Sequence, residues 1–362
     1  MKKTITIILL VLINFLLNAQ EKYTLNLKFN EKYFLSNFLL NKTENEFVHD
    51  LIKETDSTTM YNNKNYIEVM DSIMNRKINF SKEELNKLSS KKRKELDSLK
   101  IQFQNGSFLE LMKQFVDAFS DKNFLKKMFE DNGIDSLEIL KPSYNRITIN
   151  FTSKKYLEVA KNILKKNSIS FHESIDNDEL ENIHECFMNE NKPLVDNFSL
   201  KKENNYLLIT YDSEIVKQTK IYSKCFDSNN IVTLIKEGGF SDVYWKLYFV
   251  KNSGELENLI SKSIKSFDLE FKKNEQSYDD NIFYIKIFLD EIGKENLKKF
   301  SEKNIGKSIF ISKGSQFLLN PKISSTLDKG RFMLSGNMFS DNWQETFDLL
   351  KFEVFKNSIT IQ

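Results

Sequence analysis

Histidine, cysteine, net charge and long apolar runs are all scarce in this chain. The three histidines, His49, His172 and His184, make no HExxH pair, and the two cysteines make no CxxC, so sequence-encoded zinc sites are excluded. His184-Glu185-Cys186 comes nearest to a metal or nucleophile cluster. Residues two apart project from different helix faces, however, so these read as incidental surface or core positions. The 53 Lys+Arg are almost cancelled by 51 Asp+Glu, leaving a net charge of +2 and no overall field to hold a polyanion. Nucleic acid is therefore not an expected partner.

Catalytic motifs are missing as well. No GxSxG occurs. Gly306-Lys307-Ser308 imitates the end of a phosphate-binding loop, but the position that needs the first glycine is Ser301, and the expected order is helix then strand rather than strand then helix. The carboxylate pairs Asp279-Asp280 and Asp176 with Asp178 read as loop residues of a charge-rich chain. Lys91-Lys92-Arg93-Lys94, diluted by Glu83, Glu84, Glu95 and Asp97, reads as a solvated helix face. No cofactor is implied, no metal site is found, and the expectation is a protein that is not an enzyme.

What the chain does have begins with Met1-Lys2-Lys3, the apolar stretch Ile7 to Leu17 and Asn18-Ala19-Gln20, the layout of a signal peptide over residues 1–19. The stretch is eleven residues long, and a bilayer-spanning helix needs about 20, so an uncleaved anchor is the weaker reading. The expected location is periplasmic or secreted, with no integral membrane segment after signal cleavage. Hydrophobic residues at 40% and charged residues at 29% suit a folded chain. Cys186 and Cys225 would then occupy a compartment where disulfides persist. They either pair or remain separate buried thiols; two cysteines make no framework, which favours separate thiols.

Alternation of Leu25, Leu27 and Phe29 predicts a strand over Tyr23 to Phe29. A helical arm follows from Glu46 to Asn132, with a capping box at Ser81 and Glu84 opening a mostly solvated helix, and a second apolar face at Phe108, Met112, Phe115 and Phe119. Ile147 to Phe151, Tyr156 to Leu164 and Ile169 to Phe171 read as strand, helix, strand. Strands are expected at Tyr206 to Tyr211 and Val243 to Val250, with a helix between at Ser213 to Tyr222. Near the end, Phe283, Ile285, Ile287 and Leu289 alternate, Leu297 and Phe300 mark a helix stopped at Gly306, and short strands follow at Ser308 to Ile311, Gln316 to Leu318 and Arg331 to Leu334. A final helix carries Trp343, Phe347 and Leu350, with Asp341 and Gln344 as its capping box.

Taken in order, Asn304-Ile305-Gly306-Lys307, Gly314, Pro321, Gly330-Arg331, Leu334-Ser335-Gly336 and Phe339 resemble the head of the first periplasmic domain of the SecD and SecDF export family. Phe129 to Phe171, with Gly133, is similar to the base of that domain, and Tyr244-Trp245 to its middle strand. Leu25-Asn26-Leu27-Lys28 resembles its start, although Phe29-Asn30 stands where the family has paired glycines.

The resemblance implies an α+β fold: a ferredoxin-like base plus a smaller α/β head, with an N-terminal helical insertion. The implied boundaries are 20–132 for the first strand and helical arm, 133–280 for the base and 281–357 for the head. The implied partners are unfolded or nascent exported polypeptide, or the membrane export machinery. The implied function is polypeptide binding or assistance to translocation without energy coupling of its own. The alternative is an envelope scaffold that has lost polypeptide capture.

Overall fold

The computed structural model describes residues 22–31, 33, 46–62, 66–103, 107–143, 145–190, 199–203, 206–210, 224–227, 229–238, 244–252, 260–272, 282–337 and 343–362. The expected signal peptide, the helix over Ser213 to Tyr222, Asp279-Asp280, Phe339 and Asp341 lie outside these residues. The protein mixes helices and sheets in an α+β arrangement and divides into two compact units. One runs through Lys166 and takes in Ser358–Gln362; the other is Asn167–Asn357.

The first unit is built on a sheet of Tyr23–Phe29 (β1), Leu137–Ser143 (β2), Arg146–Phe151 (β3) and Ile359–Ile361 (β14), in the order β14-β1-β3-β2. Every neighbour is antiparallel. Alternation decides its faces: Leu25, Leu27, Phe29, Ile147, Ile149 and Phe151 point inward and are buried. On the other face polar side chains link the strands, Thr24 to Asn150, Thr148 to Asn26 and Asn150 to Glu138. The buried face is covered by Lys122–Glu130 (α6), whose Phe129 meets Phe151 edge-on at 6.4 Å, and by Lys154–Lys165 (α7), which buries Ala160.

Between β1 and α6 lies the helical arm: Glu46–Asn62 (α1), Tyr66–Ile78 (α2), Lys82–Asn86 (α3), Ser90–Phe103 (α4) and Phe108–Phe119 (α5). The Ser81–Glu84 capping box is present and opens α3. The expected solvated helix is two helices, α3 with no buried residue and α4 mostly exposed, with only Leu96 and Leu99 buried along one of its faces. The basic run faces acids of α1: Lys91 Nζ lies 2.8 Å from Glu46 and Lys92 Nζ 2.6 Å from Asp50. Asp71 of α2 accepts the otherwise unsatisfied N–H groups of Phe108 (2.7 Å) and Leu109 (3.4 Å) at the start of α5, latching the two helices.

The second unit contains a five-stranded barrel. Ser170–Ser174 (β4), Ile309–Lys313 (β11), Gln316–Leu319 (β12), Ile231–Gly238 (β7) and Tyr244–Lys251 (β8) follow one another, and β4 pairs back to β8. Leu207–Thr210 (β6) and Ser199–Lys202 (β5) extend the sheet from β8. All pairs are antiparallel except β12 with β7. One face gathers Leu234, Tyr248, Val250, Phe310 and Phe317, with Tyr248 stacked on Phe317 at 4.5 Å. The other face is sealed by Asn177–Glu190 (α8), whose Leu180, Ile183 and Phe187 pack on Leu207, Leu247 and Phe249. Cys186 of α8 is disulfide-bonded to Cys225, with Cα atoms 5.5 Å apart. The expectation of separate thiols is thus corrected: α8 carries Cys186 to the same apolar layer that Cys225 packs against.

The remaining elements are Ile264–Lys272 (β9), Ile282–Leu289 (β10), Glu291–Lys303 (α9), Arg331–Asn337 (β13) and Trp343–Asn357 (α10). Strand, helix, three strands, helix is the expected order of the last segment, yet its strands serve two sheets. β10 and β13 join β9, whereas β11 and β12 enter the barrel. The boundaries 132/133 and 280/281 are therefore not the seams of the protein: β3, after 133, pairs with β1, before it, and β9, before 280, pairs with β10, after it.

Helix α10 holds a buried ion pair, Glu353 (2% exposed) and Lys356 (8% exposed), 2.8 Å apart. Glu353 Oε1 also accepts from the backbone N–H groups of Ser168 and Ile169, and Lys356 Nζ donates to Ser168 Oγ at 2.8 Å. Burial holds the Lys356 ammonium below the ordinary lysine pKa, against the opposing pull of Glu353. Glu353→Ala leaves that charge unpaired, and we expect a loss of about 3–5 kcal/mol at neutral pH, read from urea unfolding followed by Trp245 and Trp343 fluorescence. The folded state releases the Lys356 proton more readily than the unfolded chain does. This group's contribution to stability therefore rises as pH climbs through the lowered folded-state pKa, and the variant's deficit shrinks toward about pH 10. Removing the disulfide (Cys186→Ser with Cys225→Ser) opens a 39-residue separation, for which chain entropy gives about 4 kcal/mol and measured bonds typically about 2–4. The same unfolding assay, with and without reductant, checks it.

Candidate functional site

The three-stranded sheet, ordered β13-β10-β9, offers one face to the core and one to solvent. Alternation in β10 sends Phe283, Ile285, Ile287 and Leu289 inward. Register places Phe271 beside Phe283, Leu269 beside Ile285 and Phe267 beside Ile287 on that same face. Helix α10 covers them: Trp343 meets Phe271 at 5.1 Å and Phe347 meets Phe267 at 5.1 Å, both edge-on.

Opposite stand Ile282, Tyr284, Lys286 and Phe288, flanked by Glu270 and Ser335, Asp268 and Met333, and Ser266 and Arg331 in the neighbouring strands. Ile282 is 37% and Met333 50% exposed, and Phe271 at the rim of the inner face is 49% exposed. Charge is distributed between the rings: Lys286 Nζ lies 2.5 Å from Glu270, and Lys272 Nζ lies 5.1 Å over the Tyr284 ring. Both outer edges of this sheet, on β9 and β13, lack a paired strand among the described residues. A strand edge beside exposed apolar side chains is chemically suited to accept an extended segment of another chain.

The residues singled out by the family-like motif are spread over both sheets of the second unit. Asn304 caps α9, its Nδ2 donating to the Phe300 carbonyl at 3.0 Å. That helix ends at Lys303, so Gly306 does not stop it. Gly306 serves the next turn, with φ of 85° and its N–H donating to Ile323 O at 2.8 Å. Lys307 Nζ reaches Asp176 at 3.4 Å. The Pro321 carbonyl accepts from Ile309 N–H, and Gly314 turns the β11–β12 hairpin. Gly330 (φ 63°) gives its carbonyl to Leu289 N–H at 2.8 Å and lies under the Lys294 side chain, so a Cβ there would come within 3.0 Å of Lys294 Cβ. Arg331 faces Phe288 and Gly336 faces Phe283 across the β10–β13 ladder. Asp176 pairs with Lys307 rather than with Asp178, and helix α9 precedes strand β11 at Gly306-Lys307-Ser308.

His184 lies 3.7 Å from Glu181, while Cys186 is tied up in the disulfide. His172, buried between β4 and β11, shares a hydrogen bond of 2.8 Å with Ser312 Oγ through Nε2. No group of three His, Cys, Asp or Glu able to hold a metal occurs among the described residues. Nor is any helix among them long and apolar enough to cross a membrane. At the position of the family's paired glycines, Phe29 is a buried core residue and Asn30 Oδ1 accepts from Tyr33 N–H at 3.0 Å.

No protein-family model matches the chain, and no curated protein matches it. Among solved structures, the chain is weakly similar to the membrane component SecDF that enhances protein export, at 13% identity and a TM-score of 0.26, over 68% of this chain and 89% of that one. It is also weakly similar to SecDF in its super-membrane-facing form, at 12% identity and a TM-score of 0.25, over 66% of this chain and 27% of that one. A β-branched or alanine side chain is poorly accommodated at φ near 60–85°. Gly306→Ala and Gly330→Ala are therefore each expected to cost about 1–2 kcal/mol, the latter more because of Lys294, as measured by the midpoint of thermal unfolding.

Proposed function

We propose that this is a non-catalytic exported protein that holds extended polypeptide on the β9–β10–β13 sheet, assisting protein export without energy coupling of its own. The observation that carries the reading is the exposure of Ile282, Met333 and Phe271 on a sheet whose outer strands pair with no further strand among the described residues. Main-chain hydrogen bonding to an edge does not depend on the guest's sequence, and shallow apolar contacts add affinity without selecting one partner. A Kd near 10 μM corresponds to roughly 7 kcal/mol at the standard state, enough to oppose back-sliding when guest chain is locally concentrated. The Cys186–Cys225 bond is in keeping with an oxidising compartment.

The finer reading of the fold belongs to the same proposal. In the first unit, β1, the helical arm with α6, β2, β3, α7 and β14 follow a βαββαβ course with sheet order 4-1-3-2 and antiparallel neighbours, which supports a ferredoxin-like reading of this unit rather than of the expected base at 133–280. One observation favours the scaffold alternative: Phe29 and Asn30 are fixed in core and cap, where the family's paired glycines would leave a pliant loop.

A photo-crosslinking amino acid placed at the exposed Ser335, opposite Tyr284 on the same face, should recover unfolded model clients, and Ile282→Asp with Met333→Asp should cut that yield about tenfold while leaving circular dichroism unchanged. Recovery of one folded partner in fixed stoichiometry, with no unfolded segments, would favour the scaffold and end the capture reading.

A further inference from the structure

The core-facing side of the three-stranded sheet is covered unevenly. On β10, Phe283, Ile285 and Ile287 are fully buried, and on β13 Phe332 and Leu334 are buried as well. On β9 the cover is incomplete: Phe267 and Leu269 are only partly buried, and Phe271 is half-exposed. Helix α10 brings Trp343 to Phe271 and Phe347 to Phe267, and both of these α10 rings are themselves only partly buried. Four aromatic rings and Leu269 therefore make a shelf that runs along β9. From Phe267 to Phe271 it spans about 13 Å at the rise of an extended chain.

The other side of β9 has a different chemistry. Glu270 is already answered by Lys286 at 2.5 Å, and Lys272 lies over the Tyr284 ring. Lys265, two residues before Phe267, feels the carboxylates of Asp290 and Glu291. Asp268 is exposed and stands opposite Lys286 in register, yet makes no ion pair among the described residues, because Lys286 turns to Glu270. Apolar shelf on one side and an unmatched acid on the other alternate along a single strand.

We infer that β9 is the edge that takes the guest, and that it selects extended segments in which large apolar residues alternate with lysine or arginine. A guest strand laid along β9 presents the same face every second residue, about 7 Å apart, so two or three of its apolar side chains rest on the shelf. The side chain between them lies on the side of Asp268, where a cation is matched. Edge β13 offers no such seat, since Phe332 and Leu334 are sealed. Aromatic faces and edges take aliphatic and aromatic side chains alike, so the shelf reads a pattern and not one partner. That pattern is the one carried by segments that become half-buried strands once folded. The inference rests on polypeptide capture by this sheet and adds to it the edge and the class of segment held.

The test is fluorescence anisotropy of the full chain with three labelled peptides of equal length. In the first, leucine alternates with lysine; the second holds the same residues in two blocks; the third alternates leucine with glutamate. The first should bind about tenfold more tightly than either of the others. Phe271→Ser should abolish the advantage of alternation, and Asp268→Lys should turn the preference toward the glutamate peptide. Both side chains are exposed, so unchanged circular dichroism is expected for each variant. Ile282→Asp with Met333→Asp, on the opposite face, should lower all three affinities and keep their order. Equal binding of the peptides, unmoved by Phe271→Ser, overturns the inference and leaves capture standing; binding of none overturns both. Self-association that Phe271→Ser abolishes, without peptide binding, assigns the shelf to a second copy and overturns it too.

Discussion

A single carboxylate, Glu353, organises the second unit. Its oxygen gathers the Ser168 and Ile169 backbone N–H groups and the Lys356 ammonium at a largely buried site. Through it, α10 is fixed to the start of β4, the strand whose pairing to β8 closes the barrel. The same helix lays Trp343 and Phe347 over the three-stranded sheet. Barrel and sheet thus share one polar anchor, surrounded by the apolar bodies of Phe352 and Phe355, which stack at 5.9 Å. An ion pair so placed adds little to stability by its own attraction, since desolvation opposes it; it does penalise any arrangement that separates the partners.

Local signals were legible and distant pairings were not. The alternation of β1 and β10, the Ser81–Glu84 box and the helix at Leu297 and Phe300 all follow from neighbours in sequence. Strand β7 escapes such reading because Ile231, Val232, Leu234 and Ile235 are apolar on both sides, as befits a strand packed on two faces. Strand β9 does alternate through Phe267, Leu269 and Phe271, but the charges between them resemble the helical arm's pattern. Barrel closure depends on β4 meeting β11 and β8, far along the chain, which no window of sequence contains. The disulfide was illegible for the same reason: spacing along the chain says nothing of α8 bringing Cys186 to Cys225.

Candidate surfaces were still harder to read, since exposure is a property of register. By residue type Ile282, Phe271 and Met333 belong in a core; only the pairing of β10 with its neighbours shows that they meet solvent. The family-like glycines were visible at once, yet the work of Gly306, Gly314 and Gly330 is to admit left-handed backbone at turns. Chemistry and framework are therefore separated in this protein: conspicuous residues shape the support, and unremarkable ones lie on the surface.

Strand β14 sets the order in which the molecule can mature. It pairs with β1 across more than three hundred positions of chain, so the first sheet remains one strand short until everything that makes the second unit has emerged. The entropy of closing so long a loop is lowered once the intervening residues are already compact. Folding from the inserted unit outward is thus the economical route, and β1 spends its early life as an unguarded edge.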